Sequence, residues 1–359
     1  MSQSDDPARP KTSGTGAEDV TSRRRTRVSM RDVAQASGVS MTTVSLVLNQ
    51  RPGLTIPKET QDRVMQCAAQ LGYRPNAMAR ALRHGTSNLL GLITDEIATT
   101  PFAGQIVRGA QDVAARHGQV LALVNTDKQS MLDTEAIQVL LAHQVDAFVL
   151  ATMGHRHIRV PELLKGRQVV LVNAFAGNDA VPCVTPDEVR GGREAVQHLL
   201  QAGHRRIGVI DNLMDDVAAP GRIQGYVEAL SEAGLTADPR WRWHREGWQE
   251  AGYEGAMALL TQPERPTALF CLNDRCAMGA FDAARSLGLR VPDDVSIVGF
   301  DDQDVIAAHL RPGLDTMRLP HYEMGALGVE ALLGQYPAGV TRLHCPLIQR
   351  GSVAPPPPI

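Results

Sequence analysis

Met41, Thr42, Ser45 and Leu46 have the types and the spacing to read the edges of base pairs. They are uncharged and small enough to enter a groove, and they combine hydroxyls that donate and accept with methyl groups that can meet thymine. What they need is a helix that holds them together on its outer face, with the first two at its N-terminal end, where a recognition helix meets base edges.

The flanking residues supply that helix and a partner for it. Ser29 is placed as an N-cap, with Asp32 three residues on where a helix start favours an anion, so a first helix begins at Met30. Met30, Val33, Ala34 and Ser37 share one face, and Gly38 ends it. Ser40 caps a second helix, on which Val44, Val47 and Leu48 repeat the spacing. A third helix is expected from Pro57 to about Leu71, with Val64, Ala68 and Leu71 closing one small core and Gly72 as the stop. The pattern reads as a helix-turn-helix. The first two helices alone also fit an ordinary amphipathic hairpin, and charge weighs against that. From Ser22 to Gly85 eleven basic residues face three acidic ones, a net of +8, while residues 1–21 carry −2 and the remainder −9. A basic head on an acidic body is the footprint of a chain that meets nucleic acid through its head.

The 359 residues are too many for one small module, and 43% apolar content permits a sizeable core beyond the head. There is no apolar run of about 18 residues and no apolar stretch at the polar N-terminus, so neither a membrane span nor an export signal is expected and a cytoplasmic location follows. Five scattered cysteines without a C-x-x-C pair argue against a disulfide framework or a structural zinc site. No phosphate-loop, H-E-x-x-H or G-x-S-x-G motif is present, and His155-Arg156-His157 reads as a loop without further ligands nearby, so no enzyme, metal or cofactor is expected. Residues 1–27 form a basic tail too poor in apolar groups to order, with Arg23, Arg24, Arg25 and Arg27 available to phosphates.

From Leu89 onward the periodicity changes. Short apolar runs at Leu89–Ile93, Val120–Val124, Ala147–Leu150, Val169–Val172, Ile207–Ile210, Ala268–Cys271 and Ser296–Phe300 alternate with helical stretches. That alternation predicts parallel sheets covered on both faces, and its length predicts two lobes. Ligands in such sheets sit outside the carboxyl ends of the strands. Arg222, Asn273 and Asp301 follow predicted strands of one lobe, Phe102, Asn173 and Asp95 come from the other, and Trp248 is a further aromatic candidate. Helix capping by Asn273 and Asp301, an ion pair at Arg222 and a core role for Trp248 are the structural alternatives.

The combined pattern Asp-Val-Ala-x-x-x-Gly-Val-Ser-x-x-Thr-Val-Ser, followed by Leu-Gly-Tyr-x-Pro-Asn-x-x-Ala-Arg-x-Leu, resembles the LacI/GalR family of bacterial transcriptional regulators. The likeness continues through Gly221-Arg222-Ile223-Gln224-Gly225-Tyr226, Asn273-Asp274 and Asp294-Val295-Ser296-Ile297-Val298-Gly299-Phe300-Asp301-Asp302, from about Val28 to Val353. It implies an all-α helix-turn-helix head (28–73), a hinge helix and linker (74–86), and a two-lobed periplasmic-binding-protein-like α/β core (87–355). Lobe one would take 87–185 and 316–345, and lobe two 186–315 and 346–355, with crossings near 185, 315 and 345. It further implies DNA contacts from Ser29, Thr43, Asn49, Tyr73, Asn76 and Ala79, and a wedge at Leu82 that enters the minor groove and kinks the duplex. The eight residues Pro75–Leu82 are too few for a stable isolated helix, so folding of the hinge would depend on DNA and a partner hinge.

The resemblance implies a homodimeric repressor on a pseudo-palindromic operator. An effector between the lobes would alter the spacing of the Leu82 hinges and bias DNA affinity by roughly 1–3 kcal/mol. Leu46 stands where a family member carries arginine, so a bidentate guanine contact is missing and the operator should differ. Purine-responsive members place an arginine and a threonine where this chain has Asp215-Asp216-Val217-Ala218-Ala219, which disfavours an anionic purine. A neutral sugar or sugar derivative fits a pocket of Asp, Asn, Arg and Trp better. The chain shows no sustained heptad repeat before Pro355-Pro356-Pro357-Pro358, so a dimer is expected. The alternative is a cytoplasmic sugar-binding receptor without DNA regulation; a sugar-converting enzyme with a regulatory head would require a catalytic pair in the cleft.

Overall fold

The computed structural model describes residues 28–49, 55–74, 86–100, 103–126, 134–177, 181–211, 217–334 and 338–358. The basic tail, Asn76, Ala79, Leu82, Phe102, Asp215 and Asp216 lie outside these residues. The chain divides into two units with the boundary between Arg80 and Ala81.

Among the described residues, the first unit holds three helices, α1 (Met30–Ser37), α2 (Met41–Leu48) and α3 (Lys58–Gln70). Ser29 and Asp32 form a reciprocal capping box, which satisfies two backbone donors that a helix start leaves open, and Gly38 ends α1 at φ 68°. Ser40 caps α2 by accepting the Thr43 N–H at 3.1 Å. Val33, Ala34, Val44, Val47, Val64 and Ala68 form the core. Leu71, expected in it, is 38% exposed. Gly72 turns the chain at φ 66° and folds Tyr73 back so that its N–H reaches the Ala68 carbonyl at 2.8 Å, and Tyr73 packs on the core instead.

The second unit contains two six-stranded sheets. The first has spatial order β11 (Val340–Leu343), β5 (Cys183–Pro186), β4 (Gln168–Phe175), β3 (Ala147–His157), β1 (Leu89–Asp95), β2 (Val120–Thr126). The second runs β12 (Leu347–Ile348), β10 (Asp315–Arg318), β9 (Ser296–Asp301), β8 (Ala268–Cys271), β6 (Ile207–Asp211), β7 (Arg242–His244). Pairing is parallel throughout except for the two-residue β12, which runs antiparallel to β10. The chain passes between the sheets after β5, after β10 and after β11. The second crossing, expected near 315, falls after Arg318, because β10 still pairs in register with β9.

Helices cover both sheets, and three helix pairs set their spacing. Helix α4 (Gly104–Arg116) packs on α10 (His321–Leu332), α6 (Glu188–Gln201) on α7 (Ala218–Glu232), and α8 (Gln249–Leu260) on α9 (Asp274–Ser286). Among the described residues one further α-helix, α5 (Thr134–Ala142), lies with the other face of the first sheet. Each pair meets through reciprocal glycines. A Cβ on Gly192 would fall 2.3 Å from the Arg222 carbonyl oxygen, and one on Gly225 would fall 2.1 Å from that of Val189. Only glycine permits so close an approach, and in the α6–α7 pair it brings Arg222 beside Glu188.

Candidate functional site

In the head, α2 presents its N-terminal residues outward. Met41 is 52% exposed and Thr42 is exposed, while Thr43, Ser45, Leu46 and Asn49 are half-buried. Thr43 hydroxyl lies 2.9 Å from that of Ser40, and the Asn49 amide donates to the Ser45 carbonyl at 2.6 Å. Ser29 is exposed but committed to its cap, and Tyr73 is tied into the core. The side chains with least structural work are therefore Met41 and Thr42.

In the second unit a cavity of about 380 Å³ opens at the carboxyl ends of the strands of both sheets. Asn173, Arg222, Trp248, Asn273 and Asp301 all line it, with Glu96, His155, Glu188 and Arg275 among the other wall residues. Three wall residues, Glu96 (φ 48°), Asn173 (φ 57°) and Asp301 (φ 113°), hold positive backbone angles although none is glycine. Such strain concentrates where a side chain must be aimed. Asp95 does not belong to this wall. It is buried beneath it, accepting from the Met153 N–H at 2.6 Å and from Arg156, so it fixes the ends of β1 and β3.

Arg222 is the hub. It donates through Nε to Glu188 Oε2 at 2.8 Å, through Nη1 to Asp301 Oδ1 at 3.2 Å, and also to the Leu272 carbonyl, with its guanidinium 3.7 Å above the centroid of Phe300. Burial would raise the Glu188 carboxyl, but Arg222 and a hydrogen bond from His155 outweigh it and bring it down to about 2. Burial pushes Asp301 up to about 6 against the pull of the same arginine. Burial also works against the charge of Arg222, and the two carboxylates more than offset it, so its pKa is raised further. The wall thus holds a preorganised cation already partnered by anions.

The other residues have divided roles. Asn273 caps α9 by accepting the Cys276 N–H at 2.8 Å, and it still faces the cavity. Asn173 spends its amide on the Thr152 and Met153 carbonyls, both at 3.1 Å. Trp248 is 37% exposed, and Arg275 stacks 4.7 Å from its ring centroid, so it is a rim platform and not core.

Several wall residues lie outside the sequence expectation, and two of them, Glu188 and His155, join the network around Arg222. Glu188 opens α6 directly after β5, a strand whose apolar run is broken by Thr185 and Pro186, although its position after a strand end is the signal that marked Arg222 and Asp301. The sequence around His155 reads as a loop. It lies instead within β3, which continues to His157 through a register shift after Ala151. His155 is buried, places Nδ1 3.2 Å from Glu188 Oε1, and packs on Phe175.

A helix-turn-helix head followed by a two-lobed core with an interlobe cavity that charged and amide side chains help to line defines the class of DNA-binding proteins that carry a ligand-binding domain. Comparison with known proteins specifies which kind. Residues 29–76 match the family described as "Bacterial regulatory proteins, lacI family", and residues 87–330 match "Periplasmic binding proteins and sugar binding domain of LacI family". The ribose operon repressor of Haemophilus influenzae is 34% identical over 304 residues, 85% of this chain and 90% of that protein. The HTH-type transcriptional repressor CytR of Escherichia coli is 33% identical over 338 residues, 92% of this chain and 97% of that one. The crystal structure of the lac repressor dimer bound to operator and the anti-inducer ONPF superimposes with a TM-score of 0.76 at 27% identity, covering 91% of this chain and 99% of that one. The chain belongs to the LacI family and is a DNA-binding transcriptional repressor with a ligand-binding domain. Among the described residues, no helix is long and apolar enough to cross a membrane.

Proposed function

We propose that this repressor acts as a homodimer whose operator affinity is set by a neutral polyhydroxylated effector, a sugar or sugar derivative, bound between the lobes. Arg222, Asp301, Asn173, Asn273 and Trp248 are the contacting residues, and Met41, Thr42, Ser45 and Leu46 read the operator, with Leu82 as the minor-groove wedge. The observation that carries the effector class is the charge state of the wall. Arg222 is buried between Glu188 and Asp301, and the lining cations Arg222 and Arg275 are outnumbered by Glu96, Glu188 and Asp301. An anionic ligand would find its strongest cation already paired. A neutral polyol can share hydrogen bonds with these charged groups without adding a buried charge. The name of the Haemophilus relative, a ribose operon repressor, supports the same class.

The test is selection of random duplex DNA by the full chain, with and without a panel of neutral sugars that includes D-ribose. Enrichment of a palindrome that one sugar abolishes or creates is the expected result. A palindrome indifferent to every neutral sugar, yet responsive to a sugar phosphate or a purine, would overturn the effector class.

A further inference from the structure

We propose that Gln303 is a positioning residue of the effector site: its side-chain amide holds Asp301 and Arg275 as one unit, so that Arg275 joins the effector contacts as a donor beside the Asp301 acceptor. This rests on the reading of the cleft as the effector site and adds to it a contact and the residue that aims it.

Gln303 lies just past the end of β9 and is only 3% exposed. Its backbone is pinned first. The N–H donates to Asp274 Oδ2 at 2.6 Å, and the carbonyl accepts from the Ile306 and Ala307 N–H groups, both at 2.9 Å. The side chain then reaches two wall residues. Nε2 donates to Asp301 Oδ2 at 3.0 Å, and Oε1 accepts from Arg275 Nε at 3.2 Å. A guanidinium only donates, so the amide oxygen must face Arg275, which turns the NH2 group to the carboxylate. Asp274 and Arg275 are consecutive on α9, one gripping the backbone of Gln303 and the other its amide. The start of α9 and the end of β9 are thus fixed to each other at this one residue.

Arg275 differs from Arg222 in what it has left to give. Arg222 is spent on two carboxylates, whereas among the described residues no carboxylate pairs with Arg275. Arg275 is half-buried on the cavity wall, with Nε taken by Gln303 and its guanidinium stacked 4.7 Å from the Trp248 ring centroid. That leaves its two terminal nitrogens as oriented donors. Each oxygen of Asp301 accepts one hydrogen bond, from Arg222 or from Gln303, and keeps capacity for another. A polyol hydroxyl both donates and accepts, so neighbouring hydroxyls can serve the pair together. Holding both groups in place before the ligand arrives removes an ordering cost from binding.

The experiment uses the full chain, with 13C in the aspartate carboxyls and 15N in the tryptophan indoles, and compares it with Gln303→Met, of similar length but without an amide. Burial pushes Asp301 up to about 6, and Arg222 and the Gln303 amide pull against it, while Glu188 from α6 and Asp274 from α9 also face this carboxyl. Without ligand, the Asp301 signal, recognised by its loss in Asp301→Asn, should titrate at higher pH in Gln303→Met. The Trp248 indole signal, recognised by its loss in Trp248→Phe, should shift as Arg275 loses its anchor. Calorimetric binding of the tightest of D-ribose, D-glucose and D-galactose should weaken about tenfold in Gln303→Met and about as much in Arg275→Met. An Asp301 titration and an indole signal both unchanged in Gln303→Met would overturn the positioning role, and native sugar affinity in Arg275→Met would overturn the contact. No binding by any of the three sugars would instead remove the effector reading, while the ligand-free signals still decide what Gln303 does. Should Gln303→Met fail to fold, the native chain decides: the Gln303 side-chain amide signal, recognised by its loss in Gln303→Glu, should follow the Asp301 titration and shift in Arg275→Met. An amide signal indifferent to both refutes the assignment.

Discussion

The head and the core present their candidate contacts in opposite ways. On α2, Met41 and Thr42 stand exposed and uncharged, outside a core built from Val33, Val44, Val47 and Val64. In the cleft, Glu188, Arg222 and Asp301 are each less than a tenth exposed and are charged or poised to be. An exposed side chain without partners can change while the fold stays as it is. A buried charge is part of the fold, because removing either member of a pair leaves the other unpartnered in a medium of low polarity. On the proposed assignment of these residues, specificity for DNA is thereby separated from stability, whereas specificity for the effector is tied to it.

The comparison breaks most sharply at Glu188. Glu188→Ala leaves Arg222 with one carboxylate and His155 with none, and should destabilise the core by about 3–5 kcal/mol, read from the urea midpoint of core unfolding. The same carboxyl sets an acid limb. Its folded value of about 2 lies below the ordinary 4.5, so its stabilisation is complete above pH 4.5 and is lost as pH falls through 2, a span of about 3 kcal/mol. Glu188→Gln should flatten stability against pH between 2 and 4.5. Asp301 works in the other sense: its folded value of about 6 lies above the ordinary 3.8, so its ionisation costs stability as pH rises from about 4 to 6, and Asp301→Asn should remove that fall.

A smaller effect is expected at the helix contact that positions the cation. Gly225→Ala would place a methyl group against the Val189 carbonyl and should cost about 1–3 kcal/mol as α6 and α7 separate, with effector affinity falling in parallel. The smallest stability effect belongs to the head. Met41→Ala should change unfolding by less than about 0.5 kcal/mol yet weaken or redirect operator selection. A large loss of stability there, with DNA selection unchanged, would erase the contrast between the two regions.

Much of the fold was legible because local rules act over short distances. All seven apolar runs read from the sequence are strands, and Ser29, Gly38 and Ser40 bound the helices as their capping chemistry requires. The strands not read, β5, β7, β10, β11 and β12, have two to four residues and none is an unbroken run of four apolar residues as β8 is, and all but β7 lie at the crossings between sheets. Leu71 was misassigned because helical spacing does not reveal that Gly72 turns the chain and brings Tyr73 to the core.

In the cleft, Arg222, Asn273 and Asp301 could be singled out from one sequence because each follows a predicted strand in a sheet class that binds ligands at that end. Asp95 satisfied the same rule and proved to be a buried brace for β3. What surrounds Arg222 could not be read in this way. Glu188 and Asp301 stand 34 and 79 residues from it in sequence, and His155 reaches Glu188 across 33. Caps and periodic faces depend on neighbours within a turn or two of the chain, so the sequence alone determined the elements and the class of the cleft. Which charges pair and which carboxylate stays ionised depend on distances between segments that meet only after two sheets have been wound and the chain has crossed between them. The tertiary structure decided those, because electrostatic partnership follows separation in space.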